Sequence, residues 1–404
     1  MIIHPVKIEN GTNGKTGVRA SARIEFASPR APTPDTLWYE FPRNEIAHLS
    51  GSADGFVTAL LLLAMARRED IRVRGALNRR LVQNLYEYQR IFSAWFPKRF
   101  HPVAIDCEGW SEPPGSETPR AVATAFSGGV DSTYTLFSHL PANEWDPDRQ
   151  IDYALFVHGF DIPLDDRVTF DEASRIYDTH LRELGVELLT ARTNVRQFVD
   201  ALPWIITHGS ALGSVPLILD RLLGMFYIPA SLQYPNLHPW GSHPVSDPFL
   251  STDSMIIVHD ACMSRIDKVA QVAAQVPARS WLRVCWERPN ADKNCCRCYN
   301  CLLTMSSLEI AGALSECRTF PEPLERSRIR RMRLPEEELF DAKKLAARAM
   351  SAGRSDLAED LETAWRSSRR ALSVSKVKNR LRSLPRALTK RLGLGMKKPQ
   401  RHAE

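Results

Sequence analysis

Two short stretches of this chain hold residue types whose spacing suits chemistry. The first is Ser127-Gly128-Gly129-Val130-Asp131-Ser132. Two adjacent glycines let the backbone turn sharply and bring successive N–H groups close to an anion. Ser127 and Ser132 add hydroxyl donors, and a helix opening here adds the positive end of its dipole. Asp131 has no part in anion affinity; it reads as a holder of Mg²⁺ or a brace for the loop. No Lys-Ser or Lys-Thr follows the glycines, so this is not a Walker A loop. The second stretch holds Cys285, Cys295, Cys298 and Cys301, separated by nine, two and two residues. Four thiolates so spaced fit a tetrahedral Zn²⁺ with the closed coordination of a structural site. Cys296 adjoins the set, but Cys295 preserves the two-residue spacings and is the preferred ligand. An iron–sulfur cluster, a sulfur-relaying Cys-x-x-Cys pair and unliganded thiols are the competing readings.

These residues need elements to position them. From Ala121 the chain repeats a strand–loop–helix order, which argues for a parallel sheet covered on both faces. The six-residue loop follows the first of these strands and opens a helix. The next strand ends in His158, Gly159, Phe160 and Asp161, where strand C-termini line the crevice of an open α/β sheet. Asp161 is a better ligand candidate than His158, which reads equally well as a packed core histidine. Arg265 and Lys268 lie one turn apart on one face of a later helix. They suit either anion contact or a solvated face paired with Asp267. Arg279 to Trp286 reads as the last strand.

Four regions follow. Residues 1–118 read as a small N-terminal α/β domain, ending in the Pro-, Gly- and Ser-rich stretch Glu108 to Arg120. Residues 119–318 form the main α/β domain with the cysteine set, 319–372 a helical extension, and 373–404 a basic, loosely ordered tail.

The Ser-Gly-Gly-x-Asp-Ser pattern resembles the signature of the PP-loop ATP pyrophosphatases. Paired with the downstream cysteines, it resembles their 7-cyano-7-deazaguanine synthase branch over roughly residues 121–312. The resemblance implies a Rossmann-like, doubly wound parallel sheet of the PP-loop (HUP) type. It also implies ATP and Mg²⁺ as cofactors, a structural Zn²⁺ and cleavage of ATP to AMP and pyrophosphate. A carboxylate or carbonyl substrate, deazaguanine-type in that branch, would be adenylated and then attacked by ammonia or an amine. Ser127 to Ser132 would bind the phosphates, and His158, Gly159, Phe160 and Asp161 would lie near adenine and ribose. Lys268 or Arg265 would neutralise charge on departing pyrophosphate, beside Asp131 and Ser132. About 120 residues precede the loop and about 90 follow residue 312, more than that branch carries. The helix around Gly209 also lacks the Arg-Asn pair of a deazaguanine synthase. Three alternatives stand beside this enzyme: a ligase that joins the activated carboxylate to an amine on a protein, a tRNA-modifying sulfurtransferase, and a non-catalytic ATP sensor.

The net charge of +6 is an uneven average, because the residues from Arg366 onward carry roughly +12 and the rest roughly −6. A protein or RNA partner is therefore expected at the N-terminal domain or the basic tail. No apolar run reaches the roughly 20 residues of a membrane span, and eight cysteines do not suggest a disulfide framework. Cytoplasm is the expected location, with room for an oligomer.

Overall fold

The computed structural model of the chain describes residues 1–11, 17–28, 34–112, 120–285 and 293–382. Among the described residues, eleven strands form one sheet. The first six are β1 (Ile2–Ile3), β2 (Lys7–Asn10), β3 (Gly17–Glu25), β4 (Thr36–Pro42), β5 (Ile71–Leu77) and β6 (Ile105–Trp110). The other five are β7 (Ala121–Ala125), β8 (Tyr153–His158), β9 (Glu187–Thr193), β10 (Leu223–Pro229) and β11 (Ile256–Asp260). One face carries helices α1 (Asp54–Arg67) and α2 (Arg79–Trp95), the other α3 (Val130–Ser138) and α4 (Arg167–Glu183). Then come α5 (Val195–Val199), α6 (Trp204–Ser214), α7 (Arg265–Ala274) and α8 (Tyr299–Ile310). The last helices among the described residues are α9 (Arg326–Arg331), α10 (Leu339–Ser351) and α11 (Ser355–Arg382).

Strands β7 to β11 are mutually parallel and lie in the order β11-β10-β7-β8-β9. The chain winds from β7 out through β8 and β9, then crosses back to fill the other side of β7. Between β7 and β10 the order reverses, and ligand crevices of such sheets open there, beyond the strand C-termini. The loop Phe126–Gly129 occupies that place. The fold is therefore mixed α/β with a largely parallel sheet.

The segment expected as a separate N-terminal domain continues this same sheet. Strand β4 pairs antiparallel with β9, matching Tyr39 to Thr193 and Glu40 to Arg192. Asn194 seals the joint, accepting from the Trp38 N–H at 3.0 Å and donating to the Thr36 carbonyl at 2.9 Å. One apolar core spans both halves, with α1 at its centre. Every residue of α1 from Asp54 to Met65 is buried, as its all-round apolar sequence requires. The Pro- and Gly-rich stretch thus lies between β6 and β7 of one sheet, and its residues 113–119 lie outside the described set.

A second core under α3, α4 and α7 centres on Tyr177 and Trp281, and a third packs α9 to α11 against α7 and α8. Helix α11 runs ten residues past the expected start of the basic tail, whose residues 383–404 lie outside the described set. The expected strand at 279–286 does not form among the described residues. Pro277–Ser280 is a 3₁₀ turn, and Leu282 to Cys285 run without a strand partner. No helix of the described residues is long and apolar enough to cross a membrane.

Candidate functional site

The loop after β7 is tied from behind. Arg283 N–H donates to the Gly128 carbonyl at 2.8 Å, and Tyr177 Oη donates to the Ser127 carbonyl at 3.0 Å. The Arg283 guanidinium reaches the same Ser127 carbonyl at 3.4 Å and Tyr177 Oη at 3.3 Å. Inside the loop, Ser132 Oγ donates to the Gly129 carbonyl and accepts from the Ser127 N–H. The carbonyls are therefore occupied, while the first N–H groups of α3 have no acceptor within their helix. That arrangement leaves N–H donors of the helix start free for an acceptor from outside the helix.

Gly128 has φ +71°, and a Cβ there would sit 2.3 Å from Tyr177 Oη. Gly128→Ala is expected to lower stability by about 1–3 kcal/mol, from the left-handed backbone and the displaced tyrosine. Adding Tyr177→Phe removes the nearest clashing atom, so urea denaturation should show the pair to be less than additive. Full additivity would mean that the tyrosine does not define the loop.

Asp131, Lys268 and Arg265 converge on this loop. Lys268 Nζ donates to Asp131 Oδ1 at 3.0 Å and Arg265 Nη1 to Oδ2 at 3.1 Å. Lys268 is fully buried, and its ammonium is also held by the Ala230 carbonyl beyond β10. Burial works against ionisation of Asp131, but the two cations outweigh it and hold the carboxyl below its ordinary range. Neither cation pairs with Asp267, which binds Lys344 and Arg348 of α10 instead. The choice between an anion site and a solvated helix face is thus decided against the solvated face for Lys268.

The crevice in front of the loop has a floor of Leu155, Val157 and Ile228 and a wall of Phe160, Trp204 and His208. Of the four residues expected at the end of β8, Phe160 and Asp161 line it. Burial raises the Asp161 carboxyl against the pull of Arg283 and Arg196. His158 does not line it. It is fully buried, stacks on Phe170 with centroids 4.4 Å apart and contacts the Pro163 carbonyl at 2.7 Å. Gly159 serves packing as well: its φ is +105°, and a Cβ would meet the Thr193 carbonyl at 2.1 Å.

On the far side of the loop, Ser127, Asp131, Arg265 and Arg283 border a second recess that ends at Cys285. The sulfurs of Cys285, Cys295, Cys298 and Cys301 all lie within 4.8 Å of one another. Cys295 and Cys301 are 3.8 Å apart, and a tetrahedron with Zn–S of about 2.3 Å has edges near 3.8 Å. The donor set thus fits one ion such as zinc, and a multi-iron cluster would spread the thiolates farther. Backbone N–H groups of Cys298 and Cys301 point at the sulfurs of Cys295 and Cys298. Cys296, with φ +56°, turns its thiol to the Asn294 carbonyl and stays outside the set. Asn294 braces the approach, accepting from the N–H groups of Val284 and Cys285.

Sequence reading missed Arg283, Tyr177, Trp204 and His208. Arg283 was hidden in an apparent strand and Tyr177 in an ordinary amphipathic helix, so neither carried a local signal. Comparison of the chain with family models, curated proteins and solved structures gave no match.

Proposed function

We propose that the chain is a PP-loop ATP pyrophosphatase-type enzyme that adenylates a carboxylate for attack by a nitrogen nucleophile. One observation carries this reading: the Ser127–Ser132 loop leaves β7 at the switch point with Asp131, Lys268 and Arg265 gathered on it. The N–H groups of α3 would bind nucleotide phosphates, and Lys268 and Arg265 would meet charge developing on pyrophosphate. Asp131 already satisfies two cations, so the site suits Mg²⁺ carried on the phosphates rather than caged by protein. The apolar crevice walled by Phe160 and Trp204 suits a nucleobase, and Asp161 a ribose hydroxyl. The cysteine set suits a structural zinc.

A second groove favours an amine larger than ammonia. It shares Ser231 with the crevice and Arg265 with the loop recess, and Glu336, Glu337 and Asp341 line it. Such acidic walls suit a protonated amine, including one on a protein, as in a ligase of the deazaguanine type.

Product analysis tests the reading. With ATP, Mg²⁺, ammonia and a panel of carboxylates including 7-carboxy-7-deazaguanine, AMP and pyrophosphate should form with one acid only. Asp131→Ala should slow this about 100-fold or more, because both cations lose their anchor. ADP as the product would sink the assignment, and tight ATP binding without AMP would favour a nucleotide sensor.

A further inference from the structure

The positive charge of the C-terminal stretch begins on α11, ahead of the expected tail. Residues 366–382 of this helix hold seven Lys or Arg and no Asp or Glu. Arg366, Arg369 and Arg370 stand at i, i+3 and i+4, on one side of the helix, and all three are exposed. Arg366 pairs with Glu362 one turn back, whereas Arg369 and Arg370 have no acidic partner among the described residues. The apolar side of α11 is already used, because Leu357, Ala358, Leu361 and Ala364 are buried in the core shared with α9 and α10. What the helix offers outward is therefore charge, without the broad apolar face that insertion into a lipid surface needs.

A groove between α10 and α11 adds aromatic rings to that charge. Phe340 and Trp365 line it, and Phe340 is 47% exposed. Lys343 Nζ and the Arg369 guanidinium lie 5.5 and 5.2 Å from the centre of the Trp365 ring. The ring thus holds both cations at the groove by its quadrupole, against one acid, Glu336, in the lining. Phe340 and Leu339 also line the acidic groove that reaches Arg265, so the two grooves meet at Phe340. Exposed rings beside a run of cations fit a flexible polyanion that carries flat rings of its own: bases stack while phosphates follow the Lys and Arg. A duplex hides its base faces, so a single strand alone can use both features.

We infer that the α10–α11 groove binds single-stranded nucleic acid, stacking a base on Phe340 and laying phosphates along Lys343, Arg366, Arg369 and Arg370. Nothing in this site depends on adenylation at the loop.

Fluorescence anisotropy of the full chain tests it, with a labelled oligouridine of about 20 nucleotides and its deoxythymidine counterpart as probes. Binding in the micromolar range at about 50 mM salt should weaken about 50-fold by about 200 mM, as four phosphate contacts require. Changing Arg366, Arg369 and Arg370 together to Gln should weaken binding and lower the logarithmic salt slope by about 2. Phe340→Ala should weaken binding by about fivefold or more while leaving the salt slope unchanged. Both changes are at exposed positions, and an unchanged melting temperature would show that the fold survives them. Affinity that the triple variant leaves intact would assign binding to residues outside the groove and overturn the site. So would equal affinity for a duplex of the same length, or no binding at about 50 mM salt. Tighter binding to phosphatidylserine vesicles or to polyglutamate than to either oligonucleotide would overturn it in favour of a lipid surface or an acidic protein.

Discussion

Lys268→Met is expected to cut AMP formation by about 100- to 1,000-fold, the usual effect of removing one donor aimed at developing charge. The substitution keeps the apolar stem, so the packing of α7 under Ala230 survives and the lost quantity is the ammonium alone. Stability should fall by a smaller amount, about 1–3 kcal/mol, because Asp131 keeps Arg265 and some contact with water. Asp131→Asn should cost at least as much, since it leaves a fully buried ammonium with only neutral partners. A double mutant cycle should therefore be strongly non-additive in stability. The pH dependence has a definite sign. Asp131 is held below its ordinary value of 3.8, so its contribution is complete above that pH and is lost as the pH falls through the lower, folded value. The stability gap between wild type and Lys268→Met should accordingly be flat above about pH 4 and close below it. Turnover within about threefold of wild type in Lys268→Met would make the ammonium a structural group and remove it from the proposed chemistry.

Lys268 also shows where sequence reading stops. The turn from β7 into α3 was legible because its six residues are contiguous and each has a local reason for its type. The cysteine cluster was legible because two-residue spacing alone brings thiols together, and the choice of Cys295 over Cys296 followed from that spacing. The contact of Lys268 with Asp131 spans 137 positions, and only the crossover that brings α7 beside α3 creates it. The placement of His158 away from the crevice was not legible for a different reason. Strand β8 is buried on both faces, as strands of parallel sheets are, and such a strand carries no alternation to say which side chains look into the crevice. The continuity of the N-terminal strands with the main sheet was similarly hidden. Pairing of β4 with β9 is a backbone event, and its markers, Asn194 and the buried Glu40 with Arg192 at 3.2 Å, look like ordinary polar residues in sequence.

If the cysteine set holds the proposed zinc, removing that ion should have the largest effect on stability, and its consequences should reach the loop after β7. Structural zinc in small domains is worth about 10–16 kcal/mol in apparent binding energy, comparable to the whole stability of a domain. Here the ion would close Cys285 to the knuckle at Cys295–Cys301, and Cys298 is also the N-cap of α8. Two residues before Cys285, Arg283 holds the Gly128 and Ser127 carbonyls from behind. Loss of the metal therefore frees the strap that shapes the loop, without touching any loop residue. Treatment with a strong chelator, or Cys298→Ser, should lower the melting temperature by about 10 °C or more, at about 2–4 °C per kcal/mol for a chain of this class. ATP affinity should fall with it, and both should return on adding Zn²⁺ to the chelated wild type but not to the variant. Retained ATP binding in metal-free protein that still melts cooperatively would separate the two sites and confine the cysteines to anchoring α8. A purified protein with no bound metal and no response to Zn²⁺ would instead leave the four thiols as a packed cluster, with Asn294 alone holding the strap in place.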